Sequence, residues 1–293
     1  MNILLTGGSG FIGKNILESF LAQKYHIIAP RHQELDLIDE NSADHFFKNN
    51  QIDIVIHAAC KPGHRNAKDP TNLFYHNTRM FFNLIRNAKY FKKMIITGSG
   101  AVYDHRYYQP KMKEAYFGEH IPADEHGFNK YVIGKYIEHM DKVVDLRIFG
   151  IFGKYEDYTI RFISNLICKA IFDLPLTMRQ NRKFDYLYVD DLMPILDYFI
   201  QHTGKHRAYN VTPNKSLELS EIVQKIKTVC GKDLPIKIAK PGLGLEYSGD
   251  NTRLRQEITN LQFTPMDNAI KYLYDWYLEN KKLIHKEALM VDK

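Results

Sequence analysis

The chain has 293 residues, 44% of them hydrophobic and 25% charged, with a formal net charge of +6, which predicts one large globular domain or two smaller ones. No apolar run approaches the ~18 residues of a membrane span and the sequence predicts no secretory signal, so we expect a cytoplasmic protein without a membrane partner. The basic residues are spread along the chain, no nucleic-acid motif occurs and the three cysteines are far apart, so we expect neither nucleic-acid binding nor a metal site.

Short apolar runs alternate with amphipathic stretches through the first half of the chain. This alternation predicts strands and helices in turn, and therefore an α/β protein with a parallel sheet and right-handed crossovers. The predicted strands are 2–6, 26–30, 53–59, 93–98 and 143–150. The predicted helices between them are 11–23, 41–49, 71–90 and 125–140.

A glycine-rich stretch, "TGGSGFIG" at 6–13, follows the first predicted strand and opens the first predicted helix. Its glycines allow a tight turn, and they let a pyrophosphate approach the backbone N–H groups at the positive end of the helix. A glycine motif alone is weak, but its place between a strand and a helix predicts a dinucleotide-binding loop. The expected cofactor contacts in this loop are Thr6, Gly7, Gly10, Phe11, Ile12 and Gly13.

The tip of the second predicted strand indicates which dinucleotide binds. An acidic residue there would hold the ribose hydroxyls of NAD, but the sequence "APRHQELDLID" has Arg31 at this position. Arg31, together with His32, is suited to pair with a 2′-phosphate, so we expect NADP, with NAD as the alternative. Asp36 and Leu37 then lie where the adenine would pack. A solvated surface arginine is the competing interpretation.

The pattern loosens after residue 150, although helices are predicted at 159–172, at 216–231 and near the C-terminus. Together with the glycine loop, this organisation predicts a Rossmann-type, doubly wound parallel sheet with a smaller C-terminal substrate-binding lobe. We expect the dinucleotide-binding domain at 1–155 and the lobe at 156–293, with some of the later chain returning to the sheet.

Seven motifs along nearly the whole chain resemble the extended short-chain dehydrogenase/reductase family of nucleotide-sugar epimerases, dehydratases and reductases: "TGGSGFIG", "IVIHAAC", "YHNTRMFFNLI", "IITGSGAVY", "GFNKYVIGKYIE", "LRIFGIFG" and "YLYVDDL". The run from Arg31 to Ala59 is most similar to the NADPH-dependent 4-keto-sugar reductases, such as GDP-fucose synthase. The resemblance implies the Rossmann fold, an NAD(P) cofactor and a nucleotide-diphosphate sugar substrate.

The family places a Ser or Thr four residues before the Tyr of a "VY" pair, and here these residues are Ser99 and Tyr103. The resemblance implies that the Ser99 hydroxyl hydrogen-bonds the substrate oxygen while a hydride moves. Ser99 follows a predicted strand directly, at the sheet edge where doubly wound folds bind ligands. A simple turn serine is the alternative.

The family also requires an acid–base Tyr and, four residues later on the same helix face, a Lys that binds the nicotinamide ribose. Tyr131 and Lys135 have the matching residue types. The surrounding residues of the family motif, however, align with "HGFNKY", which puts His126 and Lys130 in the two positions. The sequence therefore offers two possible pairs, one of which lacks the Tyr.

Helix length favours the upstream pair. A helix from His126 to residue 140 covers about 22 Å, similar to the roughly 20 Å of the strand that follows, whereas one from Tyr131 covers only about 15 Å. We therefore predict His126 and Lys130 at the site and Tyr131 as a packing residue. An imidazole with an ordinary pKa of about 6.5 would supply a proton near neutral pH, although its ring is shorter than a phenol.

The resemblance assigns further cofactor contacts and leaves two positions open. It places Ala58 and Ala59 beside the cofactor, Asn77 in support of the active-site backbone, and Phe149 against the nicotinamide. His57 is predicted to be a core histidine, and Cys60 and Lys61 are equally compatible with the nicotinamide side or with the surface.

Three departures from the family pattern bear on the reaction. Ala101 stands where GDP-fucose synthase has a cysteine for epimerisation, and Gly100 and Ala101 stand where dehydratases have an acidic pair. Phe184 stands where the family has an arginine for the substrate diphosphate. Arg161, Arg179 and Arg182 are candidate replacements, and Asp190 and Asp191 of the "VDD" motif are predicted to be structural.

These features predict an NADP-dependent oxidoreductase that reduces the keto group of a nucleotide-diphosphate 4-keto-deoxy sugar. The alternatives are a nucleotide-sugar epimerase or dehydrogenase with tightly bound NAD, and a catalytically weakened dinucleotide-binding sensor or scaffold. The resemblance also implies a homodimer, in which helices 71–90 and 125–140 of two chains form a four-helix interface.

Overall fold

The computed structural model describes residues 1–64 and 66–290. Its strands are β1 Asn2–Thr6, β2 His26–Ile28, β3 Ile54–His57, β4 Lys93–Ser99, β5 Val143–Ile148, β6 Gly150–Phe152, β7 Leu176–Asn181, β8 Lys183–Phe184, β9 Tyr186–Tyr188, β10 Ala208–Val211, β11 Leu217–Glu218 and β12 Ile236–Leu243. Its α-helices are α1 Phe11–Glu18, α2 Phe20–Lys24, α3 Glu40–Asn49, α4 Leu73–Arg86, α5 Glu125–Ile137, α6 Phe162–Ile171, α7 Leu192–Gln201, α8 Leu219–Cys230, α9 Thr252–Glu257, α10 Met266–Glu279 and α11 Lys286–Leu289.

Six strands form one parallel sheet in the order β10-β5-β4-β3-β1-β2. The chain runs outward from β1 to β2, then crosses to β3 on the other side of β1. The strand order therefore reverses between β1 and β3, and such a switch point opens a crevice at the carboxyl ends of the strands. The predicted doubly wound parallel sheet is confirmed.

Alternate residues of the strands pack on opposite faces of the sheet, as the two-residue period of a strand requires. Leu4 and Val55 pack with α3, α4 and α5 on one face. Ile3, Ile56 and Leu146 pack with α1, α6 and α7 on the other. Because both faces are covered, the strands read as nearly continuous apolar runs in the sequence.

Several predicted elements are shorter in the structure than in the sequence pattern. The helix predicted at 11–23 is interrupted at Ser19, whose backbone is extended and whose hydroxyl caps α2 by accepting from Leu21 N. The helix predicted at 71–90 ends at Arg86, and a 3-10 turn follows at Ala88–Tyr90. The amphipathic pattern of the sequence continues through these breaks, so the predicted helices were too long. The pattern depends on which side chains are buried and does not show where the backbone leaves the helical conformation.

The later chain contributes to the sheet edge and to three two-stranded sheets, β6-β9, β7-β12 and β8-β11. Strand β10 joins the main sheet beside β5. The segment around residues 247–249 forms bridges to Phe184 and Met112, which carries it across the carboxyl end of the sheet. No helix within residues 1–64 and 66–290 is long and apolar enough to cross a membrane.

Candidate functional site

The glycine loop packs tightly against the carboxyl end of β3. Gly7 has a φ of +75°, and a Cβ there would lie 2.6 Å from Ala59 N. A Cβ at Gly13 would lie 2.1 Å from the Gly7 carbonyl oxygen, which itself accepts from Gly10 N at 3.0 Å. Glycine is therefore required for the loop and the helix to approach each other, and α1 begins at Phe11 with its first N–H groups unpaired by the helix.

A cavity of about 750 Å³, here called the loop cavity, opens over this turn. It is lined by Gly7, Gly10, Phe11, Ile12, Gly13 and Ala58, which are six of the residues predicted to contact the cofactor. Backbone N–H groups and the positive end of α1 face this space, a combination that suits a pyrophosphate. The cradle fits a dinucleotide in size and chemistry.

A second cavity of about 590 Å³, here called the Arg31 cavity, lies at the tip of β2. Thr6, Ala59, Arg31, Asp36 and Leu37 line it, so the predicted adenine-side residues do lie together. The Arg31 side chain is exposed and its backbone N–H donates to the Glu34 carboxylate at 2.7 Å, whereas His32 faces Asp36 at 3.7 Å.

His57 is buried at the carboxyl end of β3, as a core histidine. Its Nδ1 lies 2.8 Å from the Thr6 hydroxyl, which also accepts from Ala59 N. Burial, together with the charge of Lys130, lowers the pKa of His57 to about 3. A neutral ring therefore holds Thr6 and the β3 terminus in place.

Helix α5 positions the predicted catalytic pair. Asp124 caps it by accepting from Gly127 N at 2.8 Å, so His126 lies in the first turn and Lys130 in the next. Tyr131 and Lys135 take another direction: the Tyr131 ring packs on Phe117 at 5.3 Å. The Lys135 ammonium pairs with Glu138 at 3.1 Å near the surface.

Lys130 borders a small internal cavity of about 10 Å³, near the minimum for one water molecule. Asn77, Gly98 and Asp145 line the same space. Asn77 also holds the backbone that follows β3, because its Oδ1 accepts from Lys61 N at 2.7 Å. The Lys61 ammonium itself pairs with Asp69 at 2.5 Å, and Cys60 lines the loop cavity.

Asp145 is a buried acid that the sequence analysis did not single out. Its Oδ1 occupies the space where a Cβ of Gly98 would lie, at 1.9 Å. Its other oxygen accepts from Arg147 Nε at 3.1 Å, and both side chains are buried. Burial raises the pKa of Asp145, while Arg147 and Lys130 oppose the shift. Lys130 thus lies in the field of a buried ion pair.

A third cavity of about 500 Å³, here called the Ser99 cavity, lies at the carboxyl ends of β4 and β5. Its walls include Ser99, Phe149, Phe184, Tyr186 and Tyr247. The Phe184 and Tyr186 rings stack at 4.5 Å, and the Tyr247 ring packs on Phe149 at 4.9 Å. A hydroxyl group in an aromatic surround is suited to a sugar ring, which has polar edges and apolar faces.

The Ser99 cavity and the loop cavity share part of their lining. Phe11, Ile12, His126, Glu156 and Arg161 border both spaces. The two cavities are therefore continuous along this shared wall.

The environment of His126 differs from the sequence expectation in one respect. Burial and the nearby charge of Lys130 lower the pKa of His126 to about 4. At neutral pH the imidazole is therefore uncharged. An imidazole with a pKa near 6.5 would be protonated in part of the molecules at this pH, but His126 is not.

Glu156 is a further site residue that sequence reasoning missed. It is 8% exposed, and its Oε2 accepts from the Ser164 hydroxyl at 2.6 Å. Burial raises the pKa of Glu156 to about 8, so the carboxyl is largely protonated at neutral pH. Nothing in the local stretch "GKYEDYTIR" distinguishes a buried acid from a solvated one, because its burial depends on packing against α6.

The candidates for the diphosphate contact lie in different places. Arg161, just before α6, borders both the loop and the Ser99 cavities. Arg179 is exposed on β7, and Arg182 lies beside Gly244. Asp191 of the "VDD" motif accepts from Thr264 N at 3.0 Å and from its hydroxyl at 2.6 Å, which ties the lobe together.

Comparison with known proteins places this geometry in context. The sequence profile of the NAD dependent epimerase/dehydratase family matches residues 3–212. GDP-L-colitose synthase of Yersinia pseudotuberculosis is 23% identical over 254 residues, which cover 79% of this chain and 82% of that protein.

Two solved structures have the same fold. UDP-glucose 4-epimerase of Thermotoga maritima, solved with UDP-glucose, superposes with a TM-score of 0.82 at 18% identity, over 96% of this chain and 100% of that one. A GDP-L-fucose synthetase from Naegleria fowleri, bound to NADP, superposes with a TM-score of 0.81 at 17% identity, over 97% of this chain and 96% of that one.

Proposed function

The chain belongs to the NAD dependent epimerase/dehydratase family, and from that premise we propose that it is an NADPH-dependent reductase of the keto group in a nucleotide-diphosphate 4-keto-deoxy sugar. The observation that carries the proposal is the shared wall of two cavities. His126 and Arg161 border both the dinucleotide-sized loop cavity and the aromatic Ser99 cavity. A cofactor and a sugar bound there would meet where hydroxyl and imidazole groups converge.

In this proposal the cofactor is held mainly by backbone. Gly7, Gly10 and Gly13 admit the pyrophosphate to the N-terminus of α1, and Ala58 and Ala59 flank it from β3. When bound, the reduced nicotinamide supplies a hydride for the carbonyl carbon. Lys130, one turn after His126, binds the nicotinamide ribose, and Phe149 packs against the nicotinamide ring.

The substrate carbonyl is oriented by Ser99. Its hydroxyl lies at the carboxyl end of β4 and accepts from Ala101 N at 3.1 Å, so the hydroxyl hydrogen is free to point into the cavity. A hydrogen bond from Ser99 stabilises the negative charge that grows on the oxygen during hydride transfer. His126 adds a neutral N–H donor beside it, and Arg161 provides a positive charge for the substrate diphosphate.

NADP is favoured over NAD by the residue at the tip of β2. Arg31 borders the Arg31 cavity with an exposed side chain, which leaves its guanidinium free to pair with a 2′-phosphate. Asp36 in the same cavity already faces His32, so it is less available to the ribose hydroxyls. The similarity to a structure bound to NADP supports the same choice.

The test begins with the purified chain. Mass spectrometry identifies any nucleotide that co-purifies, and absorbance at the reduced-nicotinamide band follows turnover with a panel of nucleotide-linked 4-keto-deoxy sugars. We expect NADPH oxidation with at least one of them. Sugar interconversion without net cofactor oxidation would favour an epimerase with tightly held NAD, and tight cofactor binding without any turnover would favour a sensor.

A homodimer is also proposed, through α4 and α5. The two helices pack together, with the Phe74 and Phe128 rings stacked at 5.2 Å. Tyr75, Phe128 and Tyr136 nevertheless remain 55%, 38% and 40% exposed, an apolar face that a second copy would cover. Analytical ultracentrifugation should report a dimer, and the double variant Tyr75→Glu, Tyr136→Glu should report a folded monomer.

A further inference from the structure

The hydroxyl of Tyr247 lies beside Ser99, in the Ser99 cavity. Both side chains line this cavity. A Cβ at Gly100, next to Ser99 in the chain, would lie only 2.5 Å from the Tyr247 hydroxyl oxygen, so glycine at this position leaves room for that hydroxyl. The two hydroxyls belong to distant segments, and only the path of the C-terminal lobe brings them together.

The backbone of Tyr247 is fixed from both sides. Its N–H donates to the Lys183 carbonyl at 3.0 Å, and its carbonyl accepts from Asp185 N at 3.1 Å. The buried Asp185 carboxylate then accepts from Gly249 N at 3.0 Å and from the Thr212 hydroxyl at 2.6 Å. The segment is therefore built to hold this ring in one place.

Aromatic neighbours enclose the Tyr247 ring. Its centroid lies 4.9 Å from that of Phe149, 4.8 Å from Phe184 and 4.7 Å from Tyr108. The residue is 7% exposed, and burial raises the pKa of Tyr247 well above 10. Its hydroxyl consequently stays protonated, as a hydrogen-bond donor, across the neutral range.

Tyr108 lies on the outer side of the Tyr247 ring. The two rings pack together, and Tyr108 is partly exposed. Tyr247 thus borders the Ser99 cavity and contacts a second tyrosine that reaches solvent in part. By contrast, the uncharged His126 ring would become an imidazolate if it gave up its only N–H proton.

We propose that Tyr247 is the catalytic acid of this protein: its hydroxyl delivers the proton to the substrate carbonyl oxygen that Ser99 orients, and Tyr108 restores that proton from solvent. The inference rests on the proposed function, since it names the proton donor for the same reduction. Tyr247 would supply, from the C-terminal lobe, the phenol that is absent at position 126.

The proposed reduction transfers one hydride and one proton to the ketone. The carbonyl carbon accepts the hydride of the reduced nicotinamide and forms a new C–H bond, while the π electrons of the C=O bond move to the oxygen. That oxygen takes the Tyr247 proton, so the ketone becomes an alcohol and the cofactor leaves oxidised. An alkoxide is a stronger base than a tyrosinate, so the transfer is favourable despite the high pKa of Tyr247. The tyrosinate regains a proton through Tyr108.

The experiment compares Tyr247→Phe with a matched control, Tyr131→Phe. The first removes one hydroxyl from the Ser99 cavity, and the second removes one hydroxyl from the ring that packs on Phe117. With a nucleotide-linked 4-keto-deoxy sugar that the unmodified chain reduces, we expect kcat of Tyr247→Phe to fall at least 100-fold. The KM for NADPH should not change, and Tyr131→Phe should retain the original kcat.

Two further variants separate chemistry from folding. Tyr108→Phe should lower kcat about tenfold, because the proton returns less readily. Introducing His126→Tyr into Tyr247→Phe should restore part of the lost activity, since it supplies a phenol beside Lys130. Thermal unfolding of each variant checks that the ring packing is intact.

A binding measurement gives a readout that needs no turnover. By calorimetry on the cofactor-free chain, Tyr247→Phe should weaken the affinity for the keto sugar several-fold and leave that for the nucleoside diphosphate alone unchanged. If the unmodified chain is active and Tyr247→Phe keeps kcat within threefold, the inference is wrong and the proposed function stands. If the unmodified chain reduces no keto sugar, the proposed function fails, and unchanged keto-sugar affinity in Tyr247→Phe overturns the Tyr247 contact as well.

Discussion

The cofactor side and the substrate side of the cleft are built in different ways. On the cofactor side, one contiguous stretch, residues 7–13, supplies five of the residues that line the loop cavity, and its glycines bring backbone to the cavity surface. On the substrate side, Ser99, His126, Phe184 and Tyr247 come from four separate segments, and side chains form the walls of the Ser99 cavity.

The difference matters for how each half tolerates change. A site made of backbone depends on a few glycines and is destroyed by a single Cβ. A site made of side chains allows one group to be exchanged for another from a different segment, provided that the atom reaches the same place. We propose an arrangement of this second kind here, with His126 at the position where the family has a Tyr and Tyr247 in the same cavity as Ser99.

The largest expected effect is that of Gly13→Ala, which disrupts the glycine loop on the cofactor side of the cleft. The new Cβ would lie 2.1 Å from the Gly7 carbonyl oxygen and 2.7 Å from Gly8 Cα, so backbone must move. We expect the free energy of unfolding to fall by about 4 kcal/mol or more. Urea titration of the cofactor-free chain measures it. Gly10→Ala, where the Cβ contact is 3.3 Å, should retain stability and lose mainly NADPH affinity; equal losses in both variants would contradict this account.

The second largest effect is expected at Glu156, which lines the wall shared by the loop cavity and the Ser99 cavity. Its pKa is about 8 in the folded chain and an ordinary 4.5 in the unfolded chain, so folding takes up a proton between these two pH values. The free energy of unfolding therefore decreases as the pH rises from 4.5 to 8. Glu156→Gln, which stays neutral, should be more stable than the original chain at pH 8.5 by an amount on the order of 3 kcal/mol, and about equal at pH 4.5. Urea titrations at both pH values measure it.

The surface variant Glu279→Gln on α10 is the control for Glu156→Gln, because that side chain is exposed. Its stability should match the original chain at both pH values. A gain from Glu156→Gln that is the same at pH 4.5 and pH 8.5 would show that folding does not raise the pKa of this carboxyl.

A smaller effect is expected from His126→Tyr in the otherwise unmodified chain. The variant adds a phenol beside Lys130, next to the donor already proposed at Tyr247. Turnover with an accepted keto sugar should rise about tenfold, equivalent to ~1.4 kcal/mol of barrier. Steady-state kinetics measures it, and a rate that is unchanged or lower would argue that position 126 does not face the reacting oxygen.

The smallest effect tests the cofactor choice on the Arg31 side. Arg31→Ala should weaken NADPH binding about fivefold, roughly 1 kcal/mol, because an exposed guanidinium–phosphate pair is screened by water. NADH affinity should stay the same. Fluorescence titration with both cofactors measures the ratio, and Arg179→Ala, an exposed arginine on β7, is the matched control. Equal affinity losses for NADPH and NADH would rule out a 2′-phosphate contact.

Much of the cofactor side was predictable from the sequence, because its chemistry is local. The spacing of Gly7, Gly10 and Gly13 after a strand predicts the tight turn, and the structure adds its close approach to the end of β3. Strand β3 itself reads as an apolar run with His57 at its end, and the structure buries that ring against Thr6. Helix α5 also agrees closely with its prediction, since Asp124 is a good capping residue in both sequence and structure.

The sequence by itself determined the parallel sheet, the glycine-rich turn after β1 and the placement of His126 and Lys130 one turn apart on one helix, because strand alternation, glycine spacing and the helical repeat are local patterns in the chain. Only the tertiary structure decided that Tyr247 and Ser99 line one cavity, and that Glu156 and Asp145 are buried acids. These positions depend on how the C-terminal lobe crosses the sheet edge. A contact between distant residues leaves no periodic pattern in the sequence, and burial shifts a pKa only once the surrounding walls are in place.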